Sequence, residues 1–285
     1  MSLLARYLSN SPFARAAALP MRAARVARHD ARVLTQSARW LIQSREHTNY
    51  TFDLTPLNLE HLAWWVADAA GVGVDDIRGY IAEAANDTRL KKHVQAATLA
   101  SSRRGLADRE VRLHKRFGWY ALVRALRPNH VVETGTDKGL GAVVLAAALL
   151  RNGTGRLTTM DANPCAGYLI HDEYAAVSTL TIGDSVQNIA HLPTPVDLFL
   201  HDSLHTREHE LAEYEAVAPL LTAGAIVLSD NAHATDALPR WAEATGRRFS
   251  YFQEQPLGHW YPGGGIGLAQ PCPSPLMRGI PCPTR

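Results

Sequence analysis

The chain has 285 residues, 46% of them hydrophobic and 20% charged, with a formal net charge of +2. That length suits a main domain with a sizeable core plus an appendage, and the near-balanced charge argues against a nucleic-acid-binding protein. Three cysteines, Cys165, Cys272 and Cys282, fit neither a metal spacing nor a disulfide framework. With no bilayer-length apolar run and no secretory signal, they lead to the expectation of a cytoplasmic protein.

Residues 1–45 are rich in Arg and Ala and nearly free of acid. Arg25, Arg28, Arg32 and Arg39 recur at helical spacing, with Val26, Val33, Leu34 and Leu41 on another side. This predicts a basic amphipathic helix, suited to packing on the main domain or a partner subunit in a homo-oligomer, or to peripheral contact with an anionic membrane. Residues 46–105 read as a helical subdomain or lid. Thr55-Pro56 starts one helix and Gly71 stops it, while Asp75 and Asp76 favour the start of the next. The pair Trp64-Trp65 reads as core packing.

From about Leu106 the rhythm changes. A helix with Leu113, Phe117 and Tyr120 on one face ends near Pro128, and the strand HVVE follows. Then come helix Leu140 to Leu150, strand RLTTMD, a helical stretch around Tyr168 to Ala176, and strand LTI. Strand VDLFLHD, helix Arg207 to Leu221, strand AIVLSDN, helix Leu238 to Thr245, and strands FSYFQ and GIGLAQ complete the set. Such alternation predicts an α/β, doubly wound, mostly parallel sheet in a domain over 106–270. The link between the last two strands is too short for a helical crossover, so they should pair antiparallel. Residues 271–285 form a Pro-punctuated, irregular tail.

The stretch VVETGTDKGLGA, Val131 to Ala142, admits two chemistries. Read as TGxxxGxG it is the nucleotide loop of a short-chain dehydrogenase; read as a strand ending in Glu-x-Gly it suits S-adenosylmethionine. Gly135, Gly139 and Gly141 serve close backbone approach in either case, and Asp161, ending the second strand, can accept ribose hydroxyls in either case. Three features favour the second reading. The chain's lysines, Lys91, Lys92, Lys115 and Lys138, include none four residues after a Tyr, so the dehydrogenase acid is missing. Glu133 stands where a carboxylate can meet the ammonium of a methionine moiety. Asp184-Ser185, after the third strand, can take an adenine amino group.

Together VVETGTDKGLGA, MDANP, IGDS, LFLHDSLH and VLSDNAH resemble class I S-adenosylmethionine-dependent methyltransferases, in the branch of small-molecule O-methyltransferases related to catechol O-methyltransferase and the cephalosporin-hydroxylase-like proteins. The likeness covers roughly Val111 to Gln270. It implies a seven-stranded Rossmann-like sheet with an antiparallel last strand, preceded by helices. It further implies that Glu133, Gly135, Thr136, Gly139, Asp161, Asp184, Ser185 and His201 hold the cofactor.

Two strand ends, His201-Asp202-Ser203-Leu204-His205 and Asp230-Asn231-Ala232-His233, would open onto the cofactor's rim if the strands are neighbours. Asp202, Asp230 and Asn231 offer the oxygen donors that a divalent cation such as Mg²⁺ prefers, and they match the metal positions of the resembling family. A Lys three residues beyond the first metal carboxylate is the family's base; here that position is His205, which could act as base or as a further ligand, with Asp202 beside it in the catalytic set. Asp202 and Asp230 could equally cap helices. The expectation is metal-dependent methyl transfer to a hydroxylated small molecule. The rivals are a nicotinamide-dependent oxidoreductase or hydroxylase on the same fold, and a non-catalytic cofactor-binding partner protein.

Overall fold

The computed structural model describes residues 16–46, 50–192 and 195–272. These residues form two compact units: one comprises the N-terminal segment to Ser44 with Gly258–Tyr261, the other the remainder. In the first unit, helix α1 (Leu19–Gln43) carries the expected arginines and buries no residue, with Leu19, Val26, Leu34 and Leu41 all exposed. Trp40 meets Trp260 edge-on, ring centroids 5.3 Å apart. Among the described residues no helix is long and apolar enough to cross a membrane.

The second unit begins with three helices, α2 (Pro56–Ala70), α3 (Val74–Ala85) and α4 (Thr88–Ala100). Their boundaries follow local chemistry: Thr55 accepts from the Asn58 N–H with Pro56 at the first turn, Gly71 closes α2 at φ +68°, and Asp87 caps α4 through the Leu90 N–H. Helices α2 and α3 pack on α5 (Arg116–Leu126), where Gly118 lets Leu62 approach. The Asn58 side chain, buried, donates to the Gln253 carbonyl at 3.0 Å and accepts from the Gln255 N–H at 2.8 Å.

The strands are β1 (His130–Thr134), β2 (Arg156–Asp161), β3 (Ser178–Ile182), β4 (Val196–His201), β5 (Leu221–Ser229), β6 (Arg247–Gln253) and β7 (Gly265–Pro271). They form one seven-stranded sheet in the order β3-β2-β1-β4-β5-β7-β6. Strands β3 to β5 run parallel, and β7 is antiparallel to both β5 and β6. Between β1 and β2 stands α6 (Leu140–Asn152), apolar almost all round and buried along most of its length, as expected of a helix between sheet and helical layer. The remaining helices are α7 (Asp172–Ala175), α8 (Ser185–Ala190), α9 (Arg207–Val217) and α10 (Ala237–Ala244). Because β1 lies between β2 and β4, the strand order reverses there, and a crevice opens beyond the carboxyl ends of β1 and β4.

Several expectations need correction. The helical stretch around Tyr168 to Ala176 shrinks to the single turn α7, because Gly167 adopts φ +77° and the loop is occupied by turns. Helix α9 gives way at Ala218 to a 3-10 turn carrying Pro219, and Leu221 already belongs to β5. Leu113 precedes α5 rather than sharing its face. Trp64 is 57% exposed, its indole N–H donating to Glu60, so only Trp65 of that pair leans inward, towards Phe252. Cys165 is exposed and free, whereas Cys272 is disulfide-bonded, against the expectation of no disulfide. Most of the tail from 271 lies outside the described residues.

Replacing Asn58 with Ala removes its hydrogen bonds to the Gln253 carbonyl and the Gln255 N–H. Unfolding free energy should fall by about 1 to 3 kcal/mol, at roughly 0.5 to 1.5 kcal/mol per hydrogen bond, in urea titrations followed by circular dichroism. A fall below about 1 kcal/mol would mean that the helical layer is not fastened to the β6 end by this amide.

Candidate active site

The crevice is lined first by the loop after β1. Gly135 adopts φ +84°, and a Cβ there would stand 2.0 Å from the Asp202 carbonyl oxygen, so only glycine allows the loop to lie against the end of β4. Gly141, in the first turn of α6, leaves room for Glu133, whose Oε1 would sit 2.2 Å from an added Cβ. The Thr136 and Thr159 hydroxyls are 2.6 Å apart, and Thr159 donates to Glu133 at 2.6 Å. Glu133 is fully buried. Burial pushes its carboxyl up to about 7, against the pull of the Thr159 hydrogen bond and the Arg116 charge. Gly139 precedes α6 at φ +94° and donates to the Thr136 carbonyl at 2.7 Å.

The other expected cofactor residues divide into two groups. Asp161 lies at the rim, accepting from the Asp137 N–H at 2.7 Å and the Asn163 N–H at 2.8 Å, which ties together the loops after β1 and β2. Asp184 is exposed and caps α8 through the Gln187 N–H at 2.9 Å. Ser185 and His201, by contrast, are buried and turned away from the rim towards Glu213 on α9.

Glu213 was not singled out by the sequence reading. Its buried carboxylate accepts from Thr134 at 2.7 Å, His201 Nδ1 at 2.7 Å, Ser203 at 2.8 Å and His209 Nε2 at 3.0 Å, and also from Ser185. Burial alone would raise this acid, but the hydrogen bonds from His201, His209 and Ser185 outweigh it and hold the carboxyl far below the usual range. The hydrogen bond to Glu213 raises His209 in return. The His209-x-x-x-Glu213 spacing on a helix was the available signal.

At the ends of β4 and β5 stand Asp202, His205, Asp230 and Asn231. The capping alternative fails for both acids: Thr206 caps α9, and no helix starts directly after Asn231. Ligating atoms of Asp202, His205 and Asp230 all lie within 4.8 Å of one another. Asn231, at φ +50°, turns its amide to donate to His205 Nε2 at 3.0 Å. Burial lowers His205 to about 4, so the ring is neutral at neutral pH, and its Nδ1 is buried without a hydrogen-bond partner. Burial first, and the neighbouring Asp230 charge second, raise Asp202 well above the carboxylate range. Asp230 is buried too, but the Lys115 charge holds it low.

Lys115 is the second residue that the sequence reading missed. Its ammonium pairs with Asp230 Oδ1, and the two side chains are only 7% and 4% exposed. Behind it Glu254 Oε1 accepts from the Lys115 N–H at 3.1 Å and from His114 Nδ1 at 3.0 Å, while Oε2 accepts from the Gly264 N–H at 3.1 Å.

Residues 132–232, from β1 to just past β5, match the family model described as a methyltransferase domain. Over this segment the chain is similar to methyltransferase domains, and its seven-stranded sheet has the Rossmann-like methyltransferase fold. Solved structures share the fold. The cofactor-bound protein Rv0187 from MTB is 21% identical over 63% of this chain and 89% of its own, with a TM-score of 0.52. The O-methyltransferase TomG from Streptomyces achromogenes, involved in tomaymycin synthesis and solved with SAM, is 20% identical over 65% and 90%, with a TM-score of 0.50. A putative O-methyltransferase from Klebsiella pneumoniae is 18% identical over 65% and 90%, also at 0.50. No curated protein sequence matches significantly. Lys115 and Glu254 both lie outside the segment of the methyltransferase domain that the family model matches.

Replacing Glu213 with Gln keeps the shape but puts an amide among five donors. Stability should drop by about 3 to 5 kcal/mol, as for a buried charge network that loses one member. Because the folded acid is depressed, its contribution is present above the unfolded value of about 4.3 and lost as the pH falls below it. Denaturant titrations across that range should therefore show a steeper acid loss in the parent than in the variant; parallel curves would contradict the assignment.

Proposed function

We propose that this protein transfers the methyl group of S-adenosylmethionine to a hydroxyl of a small molecule. The observation that carries this reading is the contact between Gly135 and the Asp202 carbonyl. It sets the glycine loop, where the cofactor would lie, directly beside the polar corner of Asp202, His205, Asp230 and Asn231, where an acceptor oxygen would be held. A transfer reaction needs two such half-sites in contact, with the reacting atoms brought to near-attack distance.

The loop fits the cofactor. Glu133 is a desolvated carboxylate that shares its pocket with a hydroxyl, and a ligand ammonium would satisfy it better than a proton. Asp161 at the rim would take the ribose hydroxyls, and the exposed Asp184 the adenine edge. Ser185 and His201 would shape the adenine side from behind, through Glu213. At the acceptor end, neutral His205 can receive the hydroxyl proton at Nε2 when the acceptor hydroxyl takes the place of the Asn231 amide that otherwise donates there.

A divalent cation such as Mg²⁺, held by Asp202, Asp230 and Asn231, would supply an acidified and oriented acceptor hydroxyl. The donor types suit it, but Asp230 is already engaged by Lys115, so no step above depends on the ion.

Calorimetric titration should show S-adenosylmethionine and S-adenosylhomocysteine binding and NADH not binding; the opposite pattern would replace this reading with an oxidoreductase. The same titration repeated with pH tests Glu133. With the free carboxyl at about 7, an ammonium ligand must expel a proton below that pH. Affinity should rise by about tenfold per unit towards pH 7 and level off above it. In Glu133→Gln binding should be weaker and the profile flat. A flat profile in the parent would place the ammonium elsewhere.

A further inference from the structure

We infer that the ammonium of Lys115 is the resident cation of the Asp202–Asp230 corner, standing where a divalent metal ion would have to bind and leaving the native protein without one there. This deepens the proposed function by specifying how its acceptor end is charged.

The first support is geometric. Lys115 is not a surface side chain that has reached a nearby acid. It pairs with Asp230 Oδ1 inside the protein, with both side chains almost wholly buried. Its backbone is mounted: Glu254, itself buried, takes the Lys115 N–H and the His114 ring with one oxygen, and the Gly264 N–H with the other. His114 adopts φ +37°, and the Phe52 ring lies against it at 4.9 Å. A non-glycine residue in the left-handed region is held there by its surroundings. The hydrogen bonds of Glu254 and the ring of Phe52 are such surroundings, and they aim Lys115 at Asp230.

The second support is where the charge already stands. The Lys115 ammonium is in contact with Asp230 Oδ1, one of the oxygens that a cation in this corner would have to use. A divalent ion would have to displace that buried ammonium and then share the corner with its charge, and both requirements oppose binding. The donor atoms suit a metal; the occupied charge position does not.

The experiment uses Mn²⁺ as the probe, on full-length protein, with binding followed by electron paramagnetic resonance and calorimetry. The native chain and Lys115→Arg should show no saturable site at millimolar ion. Lys115→Met should gain one site, at least roughly a hundredfold tighter, on the scale of removing one unit charge at contact distance from a partly buried position. Adding Asp230→Asn should remove that site again. A thermal melt of each variant checks that it is folded, and Lys115→Gln serves if the Met variant is not. A saturable Mn²⁺ site in the native chain that Asp230→Asn abolishes would overturn the inference, as would folded Lys115 variants that bind no ion. Neither titration needs cofactor or acceptor. Failure to bind S-adenosylmethionine would thus defeat the methyl-transfer reading without touching this one.

Discussion

The crevice depends on a single buried carboxylate. Glu213 gathers the end of β1 through Thr134, the end of β4 through His201, the turn after β4 through Ser203, the start of α8 through Ser185, and its own helix through His209. Parallel strands end without any covalent return to one another, so their carboxyl ends are free to splay unless something ties them. Here the tie is an anion that each segment donates to. Glu133 near the end of β1 and Asp202 just past β4 stand on ends that this anion holds in register.

Three buried acids show how surroundings decide what a carboxyl can do. Glu213 meets donors on every side and stays ionised. Glu133 has a hydroxyl and a distant guanidinium, so it holds its proton near neutrality and is ready for a cation that is not part of the chain. Asp230 has its cation built in. The same functional group thus serves as clamp, receptor and counter-ion according to what the fold brings within hydrogen-bond reach.

Much of this was legible locally. The strand patterns HVVE, RLTTMD and VDLFLHD are short β-rich runs that end in an acidic residue, so both the sheet and its functional edge could be read from them, and the Gly-rich turn after β1 marked the crevice. Helix starts at Thr55-Pro56 and the stop at Gly71 were equally local. What could not be read were partnerships across long stretches of chain. Lys115 finds Asp230, and Glu254 finds both His114 and Gly264, with no spacing rule connecting them. Asp202 and Asp230 looked like plausible caps because Asp favours that role; only the observed helix starts, at Thr206 and after Asp236, released them from it. Trp64 misled because aromatic composition does not say which way a helix faces.

Strand β1 carries one more implication. Successive side chains on a strand point to opposite faces, and here Glu133 faces α6 and the Thr159 hydroxyl while the next residue, Thr134, reaches Glu213 on α9. The ligand-facing acid and the hub's donor are therefore adjacent letters on opposite sides of one sheet. Inserting or deleting a single residue within β1 would exchange the two faces, burying the acid against the hub and pointing a threonine at the cofactor loop. The reading frame of this strand relative to β2 and β4 cannot drift. The length of these five residues is itself part of the site's specification.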